Sequence, residues 1–472
     1  MTARLASLLD DVDVLEVVGA DTGAVEVTAV TQDSRSVIAG SLYCCVPGSH
    51  VDGHDLAAEV VGAGARSLLV ERWVDAAVPQ VRVASTRESV APVAAAFYGR
   101  PSARLSVIGV TGTNGKTTTT HLLASILRTA GRRTGLIGTL SGERTTPEAA
   151  VLQARLADFL DSGCEAVAME VSSQALHQHR ADAIDFRAAI WTNLTQDHLD
   201  YHGDVESYFA AKARLFERER CRLAVVNGDD EWGRRLLAGL DVPFATYEIA
   251  DAGGIETGPE GTSFTWRGHE VRLPLAGDHN VSNALAAATT AHALGLADDV
   301  IAAGLSSAPP VPGRWERVDG GRPFTVIVDY AHTPDGLAQA LRAARAATTP
   351  GCRVIVVFGC GGDRDRSKRP QMAAVASSLA DVAVLTSDNP RHEDPQTILA
   401  EAAAGAVGPG VRVEADRDAA IGAAITEAQA GDVVVVAGKG HETGQIVGDR
   451  VLPFDDREVA RRHLEERFGA EA

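Results

Sequence analysis

Leu105-Ser106-Val107-Ile108-Gly109-Val110-Thr111-Gly112-Thr113-Asn114-Gly115-Lys116-Thr117-Thr118-Thr119-Thr120 is the stretch on which the fold turns. A β-branched apolar run ends at glycines, and a segment of helical character follows. Glycines let successive backbone N–H groups converge on phosphate oxygens, and a helix start adds partial positive charge at the same place. In a strand–loop–helix of this kind Lys116 reaches the β- and γ-phosphates of a nucleotide, and the Thr117 hydroxyl holds Mg²⁺. The spacing departs from the general G-x-x-x-x-G-K-T template, because only Thr113 and Asn114 separate Gly112 from Gly115. The competing reading is an ordinary turn followed by a surface lysine, and the strand before it and helix after it weigh against that.

The same alternation recurs along the chain. Short apolar runs at 105–110, 166–171, 188–191, 223–226, 325–328, 353–358, 382–385 and 433–437 are each followed by a polar, glycine-rich loop and an Ala/Leu-rich stretch. Runs this short and this apolar indicate parallel strands covered on both faces. The fold class is therefore α/β, with ligands expected beyond the carboxyl ends of the strands. A chain of 472 residues exceeds one ordinary core. Tyr98-Gly99-Arg100-Pro101 separates a first stretch from the phosphate loop, and Ala308-Pro309-Pro310-Val311-Pro312-Gly313 reads as a stiff linker. Three domains are expected, 1–101, 102–312 with a mainly parallel sheet, and 313–472 with a Rossmann-like arrangement.

A formal net charge of −19 argues against nucleic acid or an anionic membrane as the main partner. The six cysteines show no CxxC pair and no zinc spacing, which fits free thiols in a reducing cytosol. Asp10, Asp11 and Asp13 interrupt the N-terminal apolar residues, so no signal peptide is expected. No apolar run approaches a membrane span. The expected setting is cytoplasmic.

Other polar residues sit at predicted strand ends. Glu170 closes one strand and His198 follows another, where Mg²⁺ held by a phosphate loop would find further ligands. Taken singly, each suits a helix cap or a structural hydrogen bond; their joint placement raises the metal reading. Lys212, in Tyr208-Phe209-Ala210-Ala211-Lys212-Ala213-Arg214-Leu215-Phe216, reads from periodicity alone as a solvated lysine on an amphipathic helix. In the last third, four strand ends carry polar loops, Asp329-Tyr330-Ala331-His332, 359–370, Ser387-Asp388-Asn389-Pro390-Arg391 and Gly438-Lys439-Gly440-His441-Glu442. Four such loops on one sheet edge suit an anionic or zwitterionic ligand.

These motifs, in this order, resemble the Mur ligases, and within them the branch that forms UDP-N-acetylmuramoyl-tripeptide. The resemblance runs from Asp33-Ser34-Arg35 to Glu442 through TGTNGKTT, EVSSQAL, TNLTQDHLDYHG, AAKARLF, GDHNVSNALAA, PGRWE, DYAHTPDGL, GCGGDRDRSKRP, DNPR and GKGHE. It implies an ATP-dependent amide ligase of peptidoglycan precursor synthesis, a monomer without membrane insertion. The ATP site would comprise Gly112, Thr113, Asn114, Gly115, Lys116, Thr117 and Thr118, with His279, Asn280 and Asn283 near adenine and Arg314 and Asp329 linking to the third domain. Lys116, Glu170, His198 and Lys212 would be catalytic. Lys212 matches a lysine that takes up CO₂ to become a carbamate, joining Thr117, Glu170 and His198 around two Mg²⁺ ions.

By the same resemblance the first domain holds UDP through Ser34, Ser49, His50 and Val51. The muramoyl-dipeptide meets Thr145, Thr146, Ser172, Gln178 and Arg180. Arg364, Asp388, Asn389, Pro390, Arg391, Gly438 and Glu442 match the pocket for the incoming amino acid. In the family a DNPR ending goes with meso-diaminopimelate rather than L-lysine, and Arg391 can pair bidentately with a second carboxylate that lysine lacks. The implied substrates are UDP-N-acetylmuramoyl-L-Ala-D-Glu and meso-diaminopimelate, joined through an acyl phosphate. Two rivals are a folylpolyglutamate-synthase-like ligase and a non-catalytic nucleotide-binding protein. The first stretch preceding the phosphate loop weighs against the former, and Lys116, Glu170, His198 and Lys212 together against the latter.

Overall fold

Strand Ser106–Thr111 occupies the interior of a six-stranded, wholly parallel sheet. The computed structural model describes residues 1–472 except 20, 49–50, 143, 259, 319, 409–410 and 470–472. On one side of Ser106–Thr111 lies Ala166–Glu170 and then Thr134–Ile137; on the other lie Phe186–Trp191, Ala224–Asn227 and Phe244–Tyr247. From Ser106–Thr111 the chain goes to the edge strand Thr134–Ile137, returns to Ala166–Glu170 and then crosses to wind outward on the other side, so a topological switch point falls at the carboxyl end of Ser106–Thr111. In open α/β sheets ligands bind at such a point, and here it carries Gly112–Lys116.

All eight predicted strands are present, within one or two residues at most ends. Their apolar runs are continuous because helices cover both faces; Val433–Ala437 is buried at every position. A second six-stranded sheet has the order Glu316–Arg317, Thr325–Asp329, Val433–Ala437, Val354–Cys360, Val382–Ser387, Arg412–Val413. Only its first strand is antiparallel. The four strands that bear the polar loops are therefore neighbours, and their carboxyl ends share one edge. A five-stranded sheet from the first stretch runs Val14–Val18, Gln80–Val83, Ser67–Val70, Ser41–Cys44, Ala29–Thr31. Cys44 and Cys45 end this region buried in apolar clusters of their own, and all six cysteines are free.

An antiparallel three-stranded sheet, Ala252–Gly258, Gly261–Trp266 and His269–Leu273, has no counterpart among the predicted runs. Its strands alternate rather than run apolar: Phe264 and Trp266 face inward while Thr265 faces solvent. It packs on helix Asp278–Ala293 within a cluster that continues through Leu337 and Leu341 to Val356 and Phe358. The two large sheets thus share one apolar core. Among the described residues no helix is long and apolar enough to cross a membrane.

Candidate active site

The phosphate loop is held by its neighbours rather than by its own turn. Gly112 has φ +147° and Gly115 φ +86°; a Cβ on Gly112 would lie 1.9 Å from Thr192 Oγ1, and one on Gly115 2.2 Å from Asn283 Oδ1. Thr113 N donates to Asn193 O at 2.8 Å, and Asn114 N to Asn193 Oδ1 at 3.0 Å. Helix Lys116–Thr129 starts directly after Gly115, so its first N–H groups face the loop. Lys116 Nζ donates to the carbonyls of Gly112 and Thr113 at 2.9 and 2.8 Å. Burial lowers its pKa, with Glu170 and Asp197 opposing.

Glu170 ends its strand facing this loop and is buried. Its Oε1 accepts from Thr117 Oγ1 at 3.0 Å and Thr139 N at 2.9 Å, and Oε2 from Thr139 Oγ1 at 3.1 Å. Arg314, just past the proline linker, donates from Nη2 to Thr117 Oγ1 at 3.0 Å and lies over the Tyr330 ring. Asp329 shapes the turn that carries Arg314 by accepting from Trp315 N and Ala331 N at 2.7 and 2.9 Å. Burial raises the Asp329 pKa against the pull of Arg314.

The solvated reading of Lys212 is overturned. Lys212 is 1% exposed on helix Val205–Ala213, and its Nζ donates to Gly112 O at 2.8 Å. Apolar periodicity was a poor guide because the helix face bearing Lys212 packs beneath a polar loop, not toward water. Burial, and then the Lys116 ammonium, hold its pKa well below the ordinary lysine range. His198 has φ +54°, and burial lowers its pKa.

One cleft brings most of the expected residues together. It is lined on one side by Thr113 to Thr118, Thr145, Thr146, Glu170, Ser172, Arg180 and His198, and on the other by Arg364, Asp388, Asn389, Arg391, Gly438 and Glu442. An adjoining cleft, sharing Asn114, Gly115, Thr118 and Arg314, is lined by His279, Asn280, Asn283 and Asp329. Burial takes the His279 pKa down to about 4. Thr146 Oγ1 accepts from Ser172 N and donates to Glu170 O, both at 3.0 Å, so the hydroxyl ties the loop before helix Ala149–Asp161 to the end of strand Ala166–Glu170. Arg180 pairs with Glu148 at 3.1 Å and hydrogen-bonds Gln178. On the far wall Asn389 Nδ2 donates to Glu442 Oε2 at 2.8 Å, and Arg391 Nη1 to Gly362 O at 2.7 Å. Burial and the neighbouring Arg364 charge both lower the Arg391 pKa, a repulsion that a bound carboxylate would relieve.

Other expected residues stand apart. Gly112 and Lys212 lie behind the cleft wall, and Pro390 is buried with its carbonyl accepting from Glu393 N at 3.1 Å. Gln178 binds Tyr201 instead of lining either cleft. Ser34 opens a short turn capped by Asp33, and Val51 is exposed; neither lines the two clefts. Ser49 and His50 fall outside the described residues.

Four residues with no separate forecast enter the site. Asp197 is buried beside His198; burial opposes its ionisation, but His198, His332 and Lys368 outweigh it and hold its pKa at about 2. Lys368 is buried at the start of helix Lys368–Leu379 and lines the cleft. Burial, then Lys368, takes His332 to about 4. Lys439 is buried and donates to Asn389 Oδ1 and Glu442 Oε2, both at 3.0 Å. Its position between two glycines at a strand end was the available signal. Nothing in the sequence 363–369 distinguishes the buried Lys368 and Arg369 from the exposed Arg364 and Arg366.

Comparison with known proteins agrees with this geometry. Residues 110–291 match the Mur ligase middle domain, 313–440 the Mur ligase glutamate ligase domain, and 26–98 the Mur ligase family catalytic domain. The UDP-N-acetylmuramoyl-L-alanyl-D-glutamate--2,6-diaminopimelate ligase of Geobacillus kaustophilus is 47% identical, over 94% of this chain and 96% of its own. The enzyme of the same name from Streptomyces coelicolor is 46% identical over 98% and 97%. A solved structure with that name superposes with a TM-score of 0.69 at 30% identity, covering 99% of both chains. The chain belongs to the Mur ligase family.

Proposed function

We propose that the chain is an ATP-dependent ligase that adds meso-diaminopimelate to UDP-N-acetylmuramoyl-L-alanyl-D-glutamate. The observation that carries this reading is a single cleft between two sets of parallel strand ends. One wall holds a phosphate loop with Glu170, and the other an acid–arginine pocket of Arg364, Asp388, Asn389, Arg391 and Glu442. The names of relatives 46–47% identical over nearly the whole chain support the same substrates. On this reading residues 1–101 bind the UDP moiety through Ser34, Ser49, His50 and Val51, 102–312 bind ATP, and 313–472 bind the amino acid.

The D-glutamate side-chain carboxylate attacks the γ-phosphorus and ADP leaves, forming an acyl phosphate. The diaminopimelate amine then attacks the acyl carbon, loses a proton, and displaces phosphate. Little side-chain chemistry is needed beyond orientation and charge. Loop N–H groups and Lys116 stabilise the transferring phosphoryl group. Thr145, Thr146, Ser172 and Arg180 orient the dipeptide, while Arg314 ties the linker to Thr117. Asp388 and Glu442 suit an ammonium, and Arg391 a distal carboxylate.

The donor set fits Mg²⁺, since Glu170 and Thr117 offer hard oxygen donors to one space that His198 lines with an imidazole nitrogen. Burial, and then the Lys116 charge, shift Lys212 toward the neutral amine, the form that adds to CO₂ to give a carbamate and so a further oxygen donor. The metal would neutralise charge on the phosphates. Closure of the two walls would exclude water that hydrolyses an acyl phosphate.

The test is phosphate release measured with ATP, UDP-muramoyl-dipeptide and either diaminopimelate or L-lysine. Release is expected only with all three substrates and with diaminopimelate. Release with L-lysine instead would reassign the pocket, and none with either would sink the ligase reading.

A further inference from the structure

Arg417 and Asp456 form a fully buried ion pair that none of the chemistry above uses. Arg417 opens helix Arg417–Glu427 and is 2% exposed; Asp456 opens helix Asp456–Phe468 and is 0% exposed. The pairing is bidentate, Nε to Oδ1 and Nη2 to Oδ2, both at 2.7 Å. Two further donors go to backbone. Nη2 also donates to Ala437 O at 2.9 Å, and Nη1 to Ser387 O at 3.3 Å.

Those two carbonyls are the last residues of strands Val433–Ala437 and Val382–Ser387, which are not neighbours; Val354–Cys360 runs between them. Ladder hydrogen bonds therefore do not fix one end against the other directly. One planar guanidinium does. Immediately beyond Ser387 come Asp388, Asn389 and Arg391, and beyond Ala437 come Gly438, Lys439 and Glu442. The two loops approach closely, because a Cβ on Gly438 would meet Asp388 Oδ2 at 2.6 Å and Arg417 Nη2 at 3.8 Å. Asp388 lines the cleft, is buried, and its carboxylate has no hydrogen bond or ion pair among the described residues. With both donors of one edge committed to Asp456, Arg417 acts on Asp388 through its charge and makes no hydrogen bond to that carboxylate.

A buried ion pair is weak evidence for stability, since apolar replacements of similar volume are often neutral or better. A lysine could keep the charge but lacks the fork needed to hold a carboxylate and two separate carbonyls. We infer that Arg417, anchored by Asp456, is a positioning residue for the amino-acid pocket, which makes the C-terminal helix Asp456–Phe468 part of the specificity machinery. This rests on the ligase reading and deepens it.

The test is steady-state kinetics on the full chain, with KM measured separately for the amino acid that the wild type accepts, for ATP and for UDP-muramoyl-dipeptide. Three variants are compared, Arg417→Lys, Asp456→Asn, and Arg417→Met combined with Asp456→Leu. The expected result is a KM for the amino acid raised ~10-fold or more while the other two stay within about twofold, with an unchanged circular dichroism spectrum. In Asp456→Asn the amide keeps one acceptor but loses the other and the charge, so one guanidinium N–H is released and is expected to turn to Asp388, giving the same selective rise without loss of charge at Arg417. If the double variant fails to fold, Arg417→Lys decides the matter. A folded variant of Arg417 with wild-type KM for the amino acid would overturn the inference, as would an equal rise in all three KM values. A wild-type protein without amino-acid-dependent phosphate release would instead overturn the ligase reading itself.

Discussion

Water stabilises an ammonium, so withdrawing Lys212 from it and setting it beside Lys116 favours the neutral amine. A neutral amine is the form that adds to CO₂. Lys212→Ala is expected to lower kcat by ~100-fold or more, a scale set by removal of one transition-state contact. Added short carboxylates should restore part of it; full activity of the unsupplemented variant would count against the carbamate. A second residue-scale prediction concerns Glu393. It pairs with the fully buried Arg369, whose other partner is Glu401. Hydrogen bonding from Arg369 takes the Glu393 pKa down from 4.5 to about 2. Because the folded pKa is the lower, the contribution is complete above pH 4.5 and disappears as pH falls through about 2. Glu393→Gln should cost about 3 kcal/mol in urea denaturation at pH 7, with the gap to wild type closing toward pH 2.

At the scale of elements, the junction of strand Ser106–Thr111 with helix Lys116–Thr129 is the least tolerant. Gly115→Ala places a Cβ at φ +86° and 2.2 Å from Asn283 Oδ1. The left-handed backbone alone costs a non-glycine residue about 1–2 kcal/mol, and moving Asn283 adds to it. Titration calorimetry with ADP should show affinity weakened ~10-fold or more. Wild-type affinity would mean the loop is not a nucleotide grip. Parallel strands such as Val433–Ala437 were legible because both faces are covered and every position is apolar. The antiparallel strands 252–273 were not, because one face meets water and polar residues interrupt the apolar signal.

Across the whole molecule, the two large sheets meet through a continuous apolar core and through polar ties at the nucleotide loop. Asn114 Nδ2 donates to Asp335 Oδ2 at 3.0 Å, and Gln196 Nε2 to Ser367 Oγ at 3.0 Å. Asp335 belongs to helix Pro334–Ala347, which packs inside the shared core, so the loop registers the position of the second six-stranded sheet. Asp335→Ala should raise the KM for ATP ~5–10-fold while leaving the KM for the amino acid unchanged, as loss of one charged hydrogen bond would. An equal change in both would point to a general loosening instead.

Local chemistry determined the parts of this protein that depend on neighbours in the chain. Apolar runs specified the parallel strands, prolines 309, 310 and 312 the linker, and Gly112 to Thr117 the phosphate loop, because backbone freedom and strand burial act over a few residues. What only the tertiary structure decided are relations between residues far apart. Lys212 changed from a solvated lysine to a buried amine because the element above it is a loop 100 positions away. Lys368, Lys439 and the Arg417–Asp456 pair took on roles because strand order sets Ser387 and Ala437 on one edge with Val354–Cys360 between them. Burial and strand adjacency are properties of the packed chain, and a charge in isolation carries no record of either.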